Sequence, residues 1–237
     1  MIDIHSHIIF SVDDGPSTVK ESMRMILEAE KIGIKTIIAT PHYNKKYFDI
    51  KNAERNFQEL VVRMKNCDIE LKMGYEVFVD SILSDCIVNK KMFTLNASNY
   101  LLFELPFDIY PNNTIDIILK MHLNDIIPII AHPERYVYFL RNFDMFINLI
   151  EAGCMVQLDA GSIIGYHGRR VKAFCKKVLK LGLAHFIASD AHSSEDYISL
   201  FLPSYHKVIR WVGTDYADAL YRKNQELLLR NETEQNI

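Results

Sequence analysis

Histidine and carboxylate side chains recur in short motifs along the chain. The N-terminal segment carries Asp3, His5 and His7 at every second position. Later motifs carry an imidazole or a carboxylate at His42, Glu76, Glu104, His132, Glu134, Asp190 and His192. Imidazole nitrogen and carboxylate oxygen are ligands for zinc, manganese and iron. Because such a set exceeds what one ion takes, the sequence predicts a site with two or three metal ions.

Metal ions held close together favour hydrolysis of a phosphate ester. Adjacent ions can clamp the attacking and leaving oxygens of a phosphoryl group and make a water more acidic. Each motif alone has a simpler explanation, since an acidic residue at a strand end, such as Asp14 or Asp190, often caps a helix. Their joint occurrence at successive strand ends is what indicates metal-assisted hydrolysis.

The motifs follow predicted strands that alternate with predicted helices. The β-rich runs are residues 1–7, 36–40, 69–78, 100–105, 126–131, 155–159 and 184–189. Helical patterns cover residues 17–32, 47–65, 80–90, 112–123, 139–152, 167–181, 203–212 and 215–230. This alternation predicts βα units around a parallel sheet, and seven units favour a closed barrel of the TIM type. The C-terminal strand ends would then bring the motifs to the face where such barrels have their active sites.

The first predicted strand has two chemically different faces. Since side chains alternate with period two, Asp3, His5 and His7 are expected to share the face of the site. The other face, toward the covering helices, is expected to carry Ile2, Ile4 and Ile8.

Composition excludes several classes of protein. The 237 residues have a formal net charge of −3, with 49% apolar and 24% charged residues, as in ordinary globular proteins. The chain has no block of basic residues of the kind that binds nucleic acid. It also has no apolar run that reaches the roughly 20 residues of a membrane span. The first residues lack the pattern of a signal peptide, so we expect a cytoplasmic protein without membrane insertion.

The four cysteines carry no recognisable chemistry. Cys67, Cys86, Cys154 and Cys175 form no C-x-x-C pair, so we expect reduced thiols rather than disulfides or a cysteine zinc site. None is followed by arginine six positions later. This excludes the phosphatase loop that is built on a cysteine nucleophile.

Four histidines lie outside the predicted site. His122 and His206 fall within helical patterns and are expected at the surface, and His185 opens an apolar strand and is expected to be structural. His167, between Gly165 and Gly168, could reach a substrate, although a surface role is the simpler interpretation.

The motifs together resemble those of the PHP (polymerase and histidinol phosphatase) superfamily. They are His-x-His at the N-terminus, Thr-Pro-His at 40–42, Glu76, His-Pro-Glu-Arg at 132–135 and Ser-Asp-Ala-His at 189–192. The first seven residues, Asp-Asp-Gly-Pro at 13–16, and the segments 37–42, 129–135 and 227–231 look more closely like the PHP-type bacterial protein-tyrosine phosphatases of capsule and exopolysaccharide operons. The similarity covers almost the whole chain.

This resemblance implies one PHP domain over residues 1–237, with a polar tail from about 231, folded as a distorted TIM-like (β/α)7 barrel. It also implies two or three manganese ions, with iron or zinc as alternatives. One ion would be bound by His5, His7, Glu76 and Asp190, and Glu76 would bridge to a second ion bound also by Glu104 and His132. The third would be bound by Asp14, His42 and His192, with Asp13 as the alternative to Asp14.

The resemblance further implies a protein-tyrosine phosphatase in which Arg135 grips the phosphate, since a guanidinium fork suits phosphate oxygens. Its substrate would be the phosphotyrosine tail of a cognate autokinase that controls polysaccharide export. The alternatives are a small-molecule phosphoesterase, such as a histidinol-phosphate phosphatase, and a non-catalytic module that binds phosphotyrosine tails. Oligomeric state stays open.

One segment departs from the family pattern. Members often carry an arginine about five residues beyond the last ligand histidine, whereas residues 193–197 of this chain are acidic and contain none. Either Arg169 or Arg170 compensates, or activity is weaker or directed at another substrate.

Overall fold

Parallel strands form the centre of the protein. The computed structural model describes residues 1–44, 49–81 and 86–230. Its strands are β1 Ile2–Ser6, β2 Thr36–Ala39, β3 His42–Tyr43, β4 Glu70–Met73, β5 Glu76–Phe78, β6 Tyr100–Glu104, β7 Ile127–Ala131, β8 Met155–Asp159 and β9 Phe186–Ala188. They pair in parallel in two sheets, in the orders β1-β2-β4 and β3-β5-β6-β7-β8-β9.

The two sheets join into one distorted barrel. β3 continues β2, and β5 continues β4, after short breaks at Thr40–Pro41 and Gly74–Tyr75. The Thr40 N–H donates to the Ser6 carbonyl across the first break. Between the last strand and the first, the Asp190 N–H donates to the His5 carbonyl. Counted with the broken strands as single ones, seven strands of the described chain enclose the barrel, which confirms the predicted fold.

Helices cover the outside of the barrel. They are α1 Val19–Lys31, α2 Ile50–Arg63, α3 Val79–Ser81, α4 Lys90–Phe93, α5 Thr114–Leu123, α6 Val137–Arg141, α7 Phe143–Glu151, α8 Ala160–Ile164, α9 Arg169–Lys180, α10 Ser194–Asp196, α11 Leu202–Val212, α12 Thr214–Asp218 and α13 Asn224–Leu229. Short 3₁₀ turns lie at Leu95–Ala97 and Pro133–Arg135, and π-helical turns at Tyr197–Phe201 and Ala219–Lys223. Within the described ranges, no helix combines the length and apolarity needed to cross a bilayer.

Some predicted elements differ from the observed ones. The strand predicted over 69–78 is divided into two short strands by a break at Gly74. The backbone there packs closely on Leu95, since an added Cβ would lie 2.8 Å from Leu95 Cδ2. The helix predicted over 139–152 is divided at Asn142, whose side chain accepts the Asp144 N–H and starts α7. Helix α8 was not predicted. Residues 47–48, 82–85 and the tail from 231 lie outside the described part of the chain.

Two apolar clusters stabilise the barrel. The larger lies between the strands and the helices and includes Ile37, Phe103 and Ile130. The smaller fills the barrel interior below the site and comprises Ile2, Ile4, Ile38, Leu95, Leu102, Ile129, Ala131, Phe186, Ala188 and Leu228. Among the described residues the interior is therefore a packed apolar core, with the polar candidate ligands above it at the C-terminal end of the barrel.

The first strand contains an irregularity that reverses part of its predicted pattern. Its pairing with β2 shifts register between Asp3 and Ser6. Ile2 and Ile4 consequently lie in the inner cluster, although they were predicted to face the helices. Asp3 points the other way and accepts hydrogen bonds from Ser189 Oγ at 2.6 Å and Tyr197 Oη at 3.0 Å. The prediction that Asp3 shares a face with His5 was wrong, because a bulge adds one residue to the alternation.

Candidate metal centre

The nine predicted ligands converge on the upper end of the barrel. His42 and Glu76 begin the short strands β3 and β5, and the others lie near the end of a strand or in the loop that follows it. Ligand atoms within 4.8 Å of one another form three overlapping groups: His5, His7, Glu76 and Asp190; His7, Asp14, His42 and His192; and His42, Glu76 and Glu104. The sequence motifs, distant along the chain, are therefore neighbours in space.

The first group lies deepest in the barrel. His5 Nε2 lies 3.3 Å from Glu76 Oε2 and 3.2 Å from Asp190 Oδ1. His7 Nε2 approaches the same two oxygens at 3.4 and 3.3 Å. All four side chains are almost completely buried. Two imidazole nitrogens and two carboxylate oxygens thus face one point, as the ligands of a single ion would.

The second group lies nearer the surface. Asp14 Oδ1 lies 3.2 Å from His192 Nε2 and 3.6 Å from His42 Nε2. Its side chain is 65% exposed, whereas that of His192 is 30% exposed. This group is the most accessible part of the centre.

Asp13 and Asp14 have different surroundings. Asp13 Oδ2 lies 2.8 Å from His7 Nδ1 and also accepts the backbone N–H of His42 at 3.1 Å. Its other oxygen accepts the Gly15 N–H. Asp13 therefore orients the His7 ring from behind, while Asp14 points at the candidate ligands, which supports Asp14 rather than Asp13 as a ligand.

The loop that carries these two carboxylates packs tightly on the first strand. A Cβ added to Gly15 would lie 2.1 Å from the His7 carbonyl oxygen. Only glycine allows this approach, which gives a structural reason for the Asp-Asp-Gly segment.

The third group centres on Glu76. Its Oε2 lies 2.9 Å from His42 Nδ1, and that nitrogen lies 3.3 Å from Glu104 Oε1. Its Oε1 lies 2.7 Å from His132 Nε2. Glu76 therefore reaches imidazoles on both sides, as a bridging carboxylate does. The expected set for the second ion contained His132 rather than His42, and both rings contact Glu76.

Charges within the centre are strongly coupled. Burial opposes the charge on His5, but Glu76 and Asp190 outweigh it and raise its pKa to about 9. The pKa of His42 is raised to about 10, because the nearby carboxylates of Glu104 and Glu76 outweigh its burial. Burial opposes ionisation of Glu76, yet the imidazoles of His5, His132 and His42 hold its pKa well below the usual range. In the metal-free protein, protons on the rings therefore balance the carboxylates.

The donor set fits metal ions better than protons. His42 Nδ1 and Glu76 Oε2 are buried and close together but lack hydrogen-bond geometry. The buried His132 Nδ1 also has no hydrogen-bond partner among the described residues. Buried polar atoms are normally satisfied, so atoms left in this way around a shared carboxylate indicate a place for a cation.

Two candidate ligands have unusual backbone conformations. His132 has φ 36° and Asp190 has φ 50°. Left-handed backbone is uncommon for residues other than glycine and marks functional sites where the surrounding structure imposes it. Here it turns the chain sharply after β7 and after β9, so that both side chains face the centre.

Arg135 lies beside this centre. Its Nη1 donates to Asp190 Oδ2 at 2.8 Å, and its guanidinium lies 5.0 Å from the centre of the Phe107 ring. A cavity of about 180 Å³ opens here, lined by Arg135, Asp159, Tyr166, His167, Asp190 and His192. A cation and candidate metal ligands thus share one cavity, as a phosphate site requires.

Two polar residues beside the centre, both on β8, were not predicted from the sequence. Gln157 Oε1 lies 2.9 Å from His5 Nδ1 and orients that ring. Asp159 starts α8 by accepting the N–H groups of Gly161 and Ser162. Neither belongs to a recognisable ligand motif, and only their inward positions on a strand between two ligand-bearing strands could have indicated them.

The remaining histidines are placed as expected. His122 and His206 are exposed on helices, and His185 Nδ1 accepts the Val156 N–H at 3.1 Å. Arg169 and Arg170 begin α9, directly after the loop that carries His167.

Comparisons with known proteins agree with the motifs and the geometry. The chain is 34% identical to a putative tyrosine-protein phosphatase CapC from Staphylococcus aureus, over 98% of this chain and 92% of that protein. It is 33% identical to the tyrosine-protein phosphatase YwqE from Bacillus subtilis, over 98% and 93%.

A solved structure from work on YwqE of Bacillus subtilis and CpsB of Streptococcus pneumoniae, described as unique metal-dependent tyrosine phosphatases, superposes with a TM-score of 0.89. Its identity is 31%, over 98% of this chain and 95% of that chain. The CpsB/CapC family model, for capsular polysaccharide synthesis, matches residues 1–230. The chain therefore belongs to the CpsB/CapC family.

Proposed function

We propose that this protein is a metal-dependent protein-tyrosine phosphatase. Arg135 shares a cavity with Asp190 and His192, which belong to the groups of candidate metal ligands, and this arrangement carries the proposal. Full-length similarity to tyrosine-protein phosphatases supports the substrate class.

We further propose the residue roles that the family resemblance implies. The nine metal ligands are His5, His7, Asp14, His42, Glu76, Glu104, His132, Asp190 and His192, with Glu76 bridging. When bound, the ions supply an acidified water and charge that stabilises the phosphoryl oxygens. Arg135 orients the phosphate, and the Phe107 ring limits the rotation of its guanidinium. Asp13 and Gln157 hold the His7 and His5 rings in the orientation that metal binding needs.

We propose manganese as the native ion, as the family resemblance implies, with iron and zinc as alternatives that the mixed imidazole and carboxylate donor set also suits. The proposed substrate is the phosphotyrosine tail of an autokinase that regulates capsule or exopolysaccharide synthesis. The cytoplasmic location stays a prediction from the sequence. A single domain over 1–237 is also proposed, supported by the packing of Leu228 of α13 with Ile2 and Ile4 of β1.

Phosphate release from a phosphotyrosine peptide tests the function. Protein loaded with manganese, iron or zinc is expected to release phosphate, and His5→Ala and Arg135→Ala are expected to abolish release. Arg135→Lys is expected to rescue little, because an ammonium lacks the planar fork. No turnover with any of the three metals would sink the proposal.

Two other functions are separable by the same assay. Faster turnover of histidinol phosphate than of the peptide would indicate a small-molecule phosphoesterase. Tight peptide binding by metal-loaded protein without phosphate release would indicate a binding module.

A further inference from the structure

His167 is held in a defined position at the edge of the candidate active site. It lies in the loop between α8 and α9, and its Nε2 lies 3.0 Å from Asp159 Oδ2. That carboxylate is 3% exposed and also accepts the N–H and the hydroxyl of Ser162. Because several donors hold the buried Asp159 carboxylate in place, this carboxylate in turn fixes the orientation of the His167 ring.

The same cavity holds the groups that would bind a phosphate ester. Arg135 comes from the turn after β7, Asp190 and His192 follow β9, and His167 enters from the loop after α8. The His167 side chain is 28% exposed. A phosphate gripped by Arg135 in a cavity of about 180 Å³ therefore has this imidazole as a neighbour.

We propose that His167 is a catalytic residue that donates a proton to the departing tyrosyl oxygen, with Asp159 as its positioning residue. The inference rests on the proposed phosphatase function. As the P–O bond to tyrosine breaks, its electron pair stays on the tyrosyl oxygen, which takes the proton from His167 Nδ1. Water forms the new P–O bond, and the proton that this water releases returns the imidazole to its charged form through solvent.

The chemistry of the leaving group explains the need for such a donor. The tyrosine hydroxyl has a pKa of about 10, so its anion is a poor leaving group. A positioned proton donor typically accelerates such steps by about 10²- to 10⁴-fold. The Asp159 carboxylate occupies His167 Nε2 at 3.0 Å and leaves Nδ1 as the atom that can face the ester.

Leaving-group dependence separates proton donation from simple phosphate binding. A residue that only binds phosphate contributes equally to every phosphate monoester. A proton donor matters greatly for phenyl phosphate and little for 4-nitrophenyl phosphate, whose leaving group is a much stronger acid.

The test compares His167→Gln with wild type on these two esters, using metal-loaded protein. We expect kcat for phenyl phosphate to fall by about 100-fold and kcat for 4-nitrophenyl phosphate to fall by less than about tenfold. Metal content, measured by elemental analysis, is expected to stay at the wild-type value. His206→Gln, an exposed histidine on α11, is the matched control and is expected to change neither rate.

Asp159→Asn provides a second variant. It is expected to show the same selective loss on phenyl phosphate, together with a lower melting temperature because Asp159 also starts α8. An equal loss on both esters, or no loss on either, in His167→Gln would overturn the proton-donor role. Wild-type protein that hydrolyses neither ester with any of the three metals would instead refute the phosphatase function itself.

Discussion

His42 Nδ1 and Glu76 Oε2 lie 2.9 Å apart, both buried, in a geometry that is not a hydrogen bond. The two residues are also direct register partners on β3 and β5. The pairing of two very short strands thus fixes the distance between an imidazole and the carboxylate that reaches most of the other candidate ligands. Glu76 is consequently the residue on which the centre depends most.

Replacement of Glu76 by glutamine is therefore expected to dismantle the metal centre. The amide keeps the volume but removes the charge that four imidazoles approach. We expect bound metal to fall by at least half and turnover to fall by more than about 100-fold. Elemental analysis and phosphate release measure the two effects.

Glu134→Gln is the matched control for this change. Glu134 is also buried, and burial with the nearby Asp159 raises its pKa to about 8. Its side chain is thus mostly neutral at pH 7, and an amide can still accept the Asp159 N–H. Similar metal loss in both variants would contradict the central role of Glu76.

Gln157→Leu is expected to weaken metal binding without removing a ligand. His5 Nδ1 loses the partner that orients its ring, and such losses typically cost about 10- to 100-fold in metal affinity. Gln225→Leu changes a buried glutamine on α13 whose amide donates to the Ile187 carbonyl rather than to a candidate ligand, and it is expected to lower stability but leave affinity unchanged. Metal titration of both variants decides, and equal affinities would refute the orienting role.

Asp3→Ala is expected to destabilise the fold and to spare the metals. Asp3 accepts hydrogen bonds from Ser189 and Tyr197 in the outer layer, and leaving these donors unpaired costs about 3 kcal/mol. Chemical denaturation and elemental analysis measure stability and metal content. Lost metal with unchanged stability would place Asp3 in the centre after all.

Stability of the metal-free protein is expected to fall as the pH rises. The folded pKa values of His5 and His42, about 9 and 10, lie above the ordinary histidine value. Their stabilisation is therefore complete below the ordinary value and is lost as the pH passes through 9 to 10. We expect the melting temperature of chelator-treated protein to drop by roughly 5–10 °C between pH 7 and 10.

Metal-loaded protein is expected to behave in the opposite way. Metal ions displace the protons on the histidine rings, so the apparent affinity of the protein for metal rises with pH. The difference in melting temperature between loaded and metal-free protein should widen from pH 6 to pH 9. A constant difference over this range would contradict the proton balance inferred for the centre.

The barrel, and the meeting of the candidate ligands at its upper end, were predictable from the sequence, because strand ends carry short polar motifs after apolar runs. Glu104 ends β6 and His132 follows β7, as this rule predicts, whereas His42 and Glu76 begin β3 and β5 after the breaks in their strands. The prediction failed for Asp3, because β1 contains a one-residue bulge. In the sequence, Asp3, His5 and His7 alternate regularly, so nothing there indicates the bulge. The rule also missed Gln157, because a side chain that orients a ligand has no spacing of its own.

The breaks in two neighbouring strands divide one side of the barrel into a lower tier and an upper one. Below them, β2 and β4 pair with β1 around the apolar interior, and above them β3 and β5 start a new sheet. A substitution that changes the packing of the lower tier therefore need not shift the pairing of His42 with Glu76. The lower tier can therefore vary in sequence while the upper tier keeps its geometry. Stability and catalysis can then evolve separately.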